Sequence, residues 1–455
     1  MAPSVAEFYE GKRVFITGAT GFLGKALVEK LLRACPGIQT IYLLLRKKKG
    51  VSGDDRLKAL CNNKIFEHLH EKQPDVFNKL KLIAGDILED ELGISNDDRQ
   101  ELQRHCNIVF HSAACVRFDQ KLKDAVNMNT SGTLRVLKLA EKMEKLEAFV
   151  HLSTAYCRCE LDMLDEKLYP AVHNPEKIIE LVEWLDDSTL NYLEPKLISS
   201  EPNTYSYTKA ITEDLVAEYS SKFPIAIGRP SIVTAAWKEP MPGWVDNLNG
   251  PTGLVIGSGK GVIRSMHCEP SYMADAIPVD VVVNGCILIA YVTALDKPKD
   301  LRIFNITLSG VQKITWREVI ELGEKWVNTY PYTIALWYPG VPKLFFYILR
   351  ISHGLNILQY YTTKEWNFKN TNFLSLQKRV SEAENNIFFT DVSTLDRDEY
   401  LRDYVIGTRH YVCKEDPATL PRARKLHRIR LYITINILYK TSHTWTMIHF
   451  KKKVM

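Results

Sequence analysis

The stretch KRVFITGATGFLGKALVEKLL, residues 12–32, decides the fold. It opens with a short apolar run, VFIT, that reads as a buried strand. Gly18, Gly21 and Gly24 follow, and then a helix-forming segment, KALVEKLL. A glycine pattern alone is weak evidence. Joined to a strand on one side and a helix on the other, it aims backbone N–H groups and the helix N-terminus at one point, the geometry that holds a pyrophosphate. Gly18 permits the tight turn, Gly21 lets the backbone approach phosphate, and Gly24 allows close helix–strand packing. Thr20, Phe22 and Leu23 belong to the same expected cofactor-binding loop.

Further strands follow at matching intervals. TIYLLLRKKKG (40–50) ends its strand in Arg46, where an NAD-preferring site carries an acid for the ribose 2′-hydroxyl. A guanidinium there pairs with a 2′-phosphate instead, so NADPH is the expected cofactor. The lysines at 47–49 read as a solvated turn. LKLIAGDIL (80–88) brings Asp86 and Ile87 to the adenine end, and NIVFHSAA (107–114) closes in Ala113 and Ala114, small enough for a dinucleotide to pass. AFVHLSTAYC (148–157) delivers Ser153 and Thr154 to a strand end. Such strands alternate with helical stretches like SGTLRVLKLAEKMEKL (131–146), which predicts an α/β fold built on a doubly wound parallel sheet of the Rossmann type. Ligands in that fold lie beyond the carboxyl ends of the strands.

Composition bounds the rest. A chain of 455 residues exceeds one typical domain, and 45% hydrophobic with 25% charged residues is ordinary for a soluble globular protein. A net charge of +5, with no RNA-binding aromatic motif or zinc-finger spacing, does not point to nucleic acid. The nine cysteines are scattered and odd in number, which suits a reducing compartment, and the isolated Cys157-x-Cys159 pair predicts no metal site. The start, MAPSVAEFYEGKR, lacks the apolar core of a secretory signal. Residues 281–295 are apolar but short and lie between Asp280 and Asp296, so a buried helix is expected. The segment Pro331–Leu355 is more apolar, yet Pro339, Pro342, Lys343 and Arg350 interrupt it, which suggests a surface-seeking or re-entrant element.

One stretch carries chemistry. In PNTYSYTKA (202–210), Tyr205 and Lys209 are four apart and share one helical face, whereas Tyr207 points elsewhere. Alone, such a pair reads as packing. Together with the TGATGFLG loop and the Ser153–Thr154 strand end, it resembles the extended short-chain dehydrogenase/reductases and their Ser/Thr–Tyr–Lys catalytic group. Hydride delivery to a carbonyl leaves an alkoxide that needs a proton and hydrogen bonds. The resemblance makes Tyr205 the proton donor. It makes Lys209 the cation that lowers its pKa and also a ligand of the nicotinamide ribose. Thr154, with Ser153 as the alternative, would bond the carbonyl oxygen.

The resemblance narrows over HSAACVRFDQKLKDAVNMNTSGT (111–133), HLSTAYC (151–157), GRPSIV with EPMPGWVDNLNGPTGLVIGSGKG (228–261), and FFTDVSTLDRDEYLRDYVIGTRHYVCKED (388–416). These are similar to the alcohol-forming fatty acyl-CoA reductases, and the short apolar tail resembles insect pheromone-gland members. That implies reduction of a long-chain fatty acyl-CoA to the primary alcohol through an enzyme-bound aldehyde, with two NADPH consumed. It also implies a Rossmann domain over 11–282 with an inserted helical region near 158–200, further substrate-binding sequence over 283–345, and a mostly helical C-terminal domain over 346–430. Alternatives are an aldehyde-forming acyl-CoA reductase, a sugar-nucleotide epimerase or steroid dehydrogenase, and a non-catalytic NADPH-binding scaffold. A homodimer is compatible with each.

The tail, 431–455, follows a basic cluster from Arg422 to Arg430 and ends in another at Lys451–Lys453. Between them lies an apolar, aromatic stretch broken by Lys440, too polar to span a bilayer and suited to a membrane surface. Lys452 and Lys453 fit the dilysine pattern of endoplasmic reticulum residents. The expectation is attachment to that membrane with the catalytic domain in the cytosol, the peroxisomal membrane being the alternative.

Overall fold

A computed structural model describes residues 3–48, 50–199, 201–263, 265–336 and 358–433. The first five strands are β1 (Arg13–Thr17), β2 (Thr40–Leu45), β3 (Leu80–Ala84), β4 (Ile108–His111) and β5 (Ala148–Leu152). β6 (Met163–Leu164) and β7 (Ile225–Pro230) come next. β8 (Ile232–Thr234), β9 (Ala276–Pro278), β10 (Arg302–Ile306) and β11 (Asn367–Phe368) follow. Seven of them form one parallel sheet in the order β10-β7-β5-β4-β1-β2-β3. The chain winds outward from β1 through β2 to β3, then returns to β4 on the other side of β1. The crevice for a ligand opens at that reversal, beyond the carboxyl ends of β1 and β4.

The strands read as near-continuous apolar runs because both faces are covered. Phe15, Tyr42, Val109, Phe149 and Ile227 pack on one face against Val136, Leu137, Leu215 and Val216. Val14, Ile16, Leu43, Phe110 and Val150, alternating with them, are buried as well. The helix Val279–Asp296 lies on β5 and β7 and against the helix Phe22–Ala34, buried almost along its length, as expected for 281–295.

The chain divides into two compact units, each built from three segments: 1–241, 275–313 and 366–394 in the first, and 242–274, 314–365 and 395–455 in the second. The first unit holds every strand among the described residues, together with helices Pro175–Trp184 and Asp187–Leu197 of the inserted region. Residue 282, the end of the Rossmann domain read from the sequence, lies inside the continuous helix Val279–Asp296. Segment 366–394 also returns to the first unit. β11 pairs with β6, the Trp366 indole donates to the Cys159 carbonyl at 3.2 Å, and Glu166 accepts the backbone N–H groups of Asn305 and Phe373 at 3.0 and 3.1 Å. Long-range anchors of this kind leave no periodicity in the sequence, which is why a linear division does not anticipate the interleaving.

In the second unit the described regular elements are helical. Trp316–Thr329 starts at a capping box of Thr315 and Glu318, and it pairs with Arg397–Gly407 through Lys325 and Asp398 at 2.7 Å and Arg397 and Glu318 at 2.9 Å. A helix over 420–433 ends the described chain. The apolar stretch 337–357 and the tail from 434 onward, with Lys440, Trp445, Lys451–Lys453 and the dilysine pattern, lie outside the described residues.

Candidate active site

The cofactor end grows from the opening motif. Gly18 adopts a φ of +77°, and a Cβ there would stand 2.7 Å from the Ala113 nitrogen. The ends of β1 and β4 therefore touch with no room for a side chain. A Cβ on Gly24 would fall 2.2 Å from the Gly18 carbonyl oxygen, so glycine lets the helix Phe22–Ala34 close on the turn. Gly21 donates its N–H to Gly18 at 2.9 Å and stands at the N-cap of that helix, which no side chain caps. A helix start of this kind accepts a phosphate in the capping role. The backbone cradle fits a dinucleotide cofactor, and residues Gly18, Thr20, Gly21, Arg46, Asp86, Ile87, Ala113 and Ala114 line the cleft in front of it. Phe22, Leu23 and Gly24 stand behind the loop, at the start of the helix, and Ile87 is also packed into the core.

Sequence reasoning missed Lys48, Arg56, Ser112 and Met128, which also line this cleft. Arg56 matters most. It sits on the helix Gly53–Cys61, which Ser52 caps, and it reaches back to donate to the Arg46 carbonyl at 2.6 Å and the Thr20 hydroxyl at 3.0 Å. Arg46 itself is paired with Asp86 at 3.2 Å. Burial, and then the neighbouring Arg46 charge, pulls the Arg56 guanidinium below its ordinary pKa, with Asp86 opposing. Arg46, Lys48 and Arg56 thus meet a single carboxylate among the lining residues, a positive surplus that suits a phosphate dianion. The available signal was the Ser52 cap four residues ahead of Arg56, which starts a helix just beyond the lysines read as a solvated turn.

The second half of the site rests on the helix Thr204–Glu218, whose first turn is capped by the Asn203 carboxamide accepting from the Ser206 N–H at 3.0 Å. Tyr205 and Lys209 stand one turn apart on it. Lys209 reaches the end of β5 and donates to the Leu152 carbonyl at 2.7 Å. The Tyr205 hydroxyl bonds the Thr154 hydroxyl just beyond the same strand. Thr154 is therefore the strand-end hydroxyl that meets the phenol, while the buried Ser153 Oγ has no partner among the described residues.

The electrostatics differ from the expectation that the ammonium depresses the phenol. Burial is the leading influence and holds Tyr205 well above its ordinary value, with the Thr154 bond opposing. Burial also pulls Lys209 down to about 8, with Glu213 opposing. Tyr205 is thus a protonated donor at neutral pH.

Around the phenol, the Phe118 ring centroid lies 5.7 Å from that of Tyr205. The loop leading to Phe118 runs directly on from Ala114, and Asn129 fixes it: its side chain accepts from Cys115 N–H at 2.7 Å and donates to the Cys115 carbonyl and the Thr208 hydroxyl. Sequence reasoning missed Asn129, which sits inside a π-helical turn, Asn127–Ser131, that no local pattern announces. Tyr207, in contrast, packs in an apolar cluster with Leu122, Val126, Ile178 and Ile211 and bonds His173 at 3.1 Å.

Two family models match the chain, over residues 16–286 and 332–415, and both are described as male sterility protein. The chain is 40% identical to fatty acyl-CoA reductase 1 of Xenopus laevis over 94% of its own length and 90% of that protein's. It is 39% identical to fatty acyl-CoA reductase 2 of Mus musculus, covering 96% of this chain and 91% of the other. Among solved structures, it resembles the reductase domain of a nonribosomal peptide synthetase from Mycobacterium tuberculosis, with a TM-score of 0.60 and 17% identity over 90% of this chain and 92% of that one. It also resembles UDP-glucuronic acid 4-epimerase from Bacillus cereus, solved in complex with NAD, with a TM-score of 0.54 and 16% identity over 89% and 99%. At such identity the structural likeness concerns the fold.

Proposed function

The chain belongs to the fatty acyl-CoA reductase family, and from that footing we propose that it reduces a long-chain fatty acyl-CoA to the primary alcohol with NADPH. The observation that carries this reading is the identity to named fatty acyl-CoA reductases over more than nine-tenths of the chain. When bound, the cofactor supplies the hydride for both reductions. Tyr205, neutral and hydrogen-bonded to Thr154, gives its proton to the substrate oxygen as negative charge develops there. Lys209 then faces the phenolate one helical turn away and stabilises it until the proton is replaced. Thr154 orients the phenol and shares the bond to the substrate oxygen. In the first pass the tetrahedral adduct returns that proton to the Tyr205 phenolate as its C–S bond breaks, so the aldehyde forms and CoA leaves as a thiolate. In the second pass Tyr205 protonates the aldehyde oxygen, and the alcohol keeps that proton. Arg46 and Arg56 support NADPH over NADH, and the region 346–430 is assigned as the family's C-terminal domain.

The stoichiometry tests the alcohol product. Two NADPH are expected per CoA released, with fatty alcohol as the end product by gas chromatography. A ratio of one, with aldehyde accumulating, would place the enzyme in the aldehyde-forming class.

We assign the site of action to a membrane surface, the endoplasmic reticulum in first place. The last described helix supports this: Arg422, Lys425 and Arg428 are exposed together with Ile429, Tyr432 and Ile433, the last three at 46%, 70% and 48%. Exposed basic residues beside exposed apolar ones suit an anionic bilayer surface. Its opposite side is packed, with Ala423 and His427 buried and Arg430 donating to the Thr333 carbonyl at 3.0 Å. Truncation after Arg430 therefore spares the packed turns and is expected to move most of the protein from the membrane pellet to the soluble fraction. An unchanged distribution would remove the tail from the account.

A further inference from the structure

An ion pair lies beside the candidate catalytic lysine and serves no step above. Glu213 follows Lys209 by four residues on the helix Thr204–Glu218, so the two share a face, and both are almost fully buried. Arg229, at the end of β7 and fully buried, grips both Glu213 oxygens through Nε and Nη2 at 2.8 and 2.5 Å. Two further N–H groups donate to the Asp165 and Lys167 carbonyls at 3.2 and 3.1 Å. Four of the five guanidinium N–H groups are bonded in this way, which makes Glu213 a fixed anion rather than a mobile one.

The remaining titratable groups around Lys209 are the Tyr205 phenol, the Cys157 thiol after β5, His151 on β5 and His111 on β4. Burial keeps the two imidazoles neutral, the rings stacked 5.5 Å apart, and it holds the thiol protonated. Of these only Cys157 favours the ammonium, less than Glu213 does, and the acceptor that Lys209 meets directly is the uncharged Leu152 carbonyl. Glu213 is the anion of the set.

We propose that Glu213, clamped by Arg229, is a positioning residue that keeps Lys209 in its ammonium form at the working pH. The proposal rests on reading Lys209 as the partner of Tyr205. Burial draws the lysine down to about 8 while Glu213 acts in the other direction. Without that carboxylate the amine loses its proton at lower pH, and a neutral amine does not stabilise the phenolate between turnovers.

The test is the alkaline limb of kcat against pH. In the unaltered enzyme that limb is expected near 8. Glu213→Gln is expected to move it down by about one unit, because a unit charge one helical turn away in a partly screened interior is worth about that much. Activity then falls about fivefold at pH 8 and much less at pH 6.5. Because this variant leaves Arg229 unpaired, the double variant Glu213→Gln/Arg229→Gln, which removes both members of the pair, is measured beside it and should shift the limb the same way by less, since one positive charge goes with the carboxylate. Glu213→Asp, which keeps the charge, should restore it. A loss that is uniform across pH in a folded variant marks a merely structural role and overturns the proposal. Should neither variant fold, 15N NMR of the unaltered protein reads the same quantity: a Lys209 ammonium that titrates below pH 7 overturns it, and one charged through pH 7 upholds it. Lys209→Ala separates the two levels. Unchanged turnover in that variant removes the reading on which the proposal rests, whereas an inactive Lys209→Ala with an unmoved limb in Glu213→Gln removes the proposal alone.

Discussion

Replacing Tyr205 with Phe is expected to lower kcat by about 10²–10⁴-fold, the range a positioned acid–base group contributes, while NADPH binding stays within about twofold. The substitution removes one oxygen. The ring remains against Phe118, 5.7 Å between centroids, and the helix keeps its Asn203 cap, so neither packing nor the glycine loop changes. What disappears is the hydroxyl that bonds Thr154 and carries the proton. Tyr207→Phe is the internal control. It loses a bond to His173 at 3.1 Å but keeps its ring in the Leu122, Val126 and Ile178 cluster, which costs about 1 kcal/mol of stability and leaves turnover within about threefold. Steady-state kinetics with a long acyl-CoA, read beside fluorescence titration of NADPH, checks both variants. Equal losses in two folded proteins would sink the assignment of Tyr205.

The second large effect concerns the cofactor. Arg46→Ala and Arg56→Ala are each expected to weaken NADPH binding by roughly 10–150-fold, the equivalent of about 1.5–3 kcal/mol for a charge-assisted contact. NADH binding should change by less than about threefold, because NADH lacks the 2′-phosphate. Arg56 has a further part, since its donors tie the Thr20 hydroxyl to the Arg46 carbonyl and so hold the glycine loop against the end of β2. Arg56→Lys should therefore recover only part of the affinity: it restores charge without the two-pronged bond. Calorimetric titration with both cofactors makes the comparison independent of turnover. A wild-type enzyme that binds NADH as tightly as NADPH, or variants that lose both equally, would refute the role of the two arginines.

The parallel sheet, the glycine turn after β1 and the placing of Tyr205 and Lys209 on one face of a helix were all legible in the sequence. Each of those rests on local spacing. Strand–glycine–helix order over 12–32 dictates a turn with Gly18 in a left-handed conformation, and four residues separate Tyr205 from Lys209 on any helix. Only the tertiary structure decided the rest, because those features join residues that no period connects. Thr154 rather than Ser153 meets the phenol, since the bend after β5 turns one hydroxyl toward the helix and leaves the other buried without a partner among the described residues. Arg56 joins Arg46 across ten positions through a short capped helix, and segment 366–394 crosses back to pair β11 with β6. Burial decided the electrostatics as well: the phenol sits above its ordinary value and the ammonium below its own, because desolvation in the folded core outweighs the charges that sequence spacing makes visible.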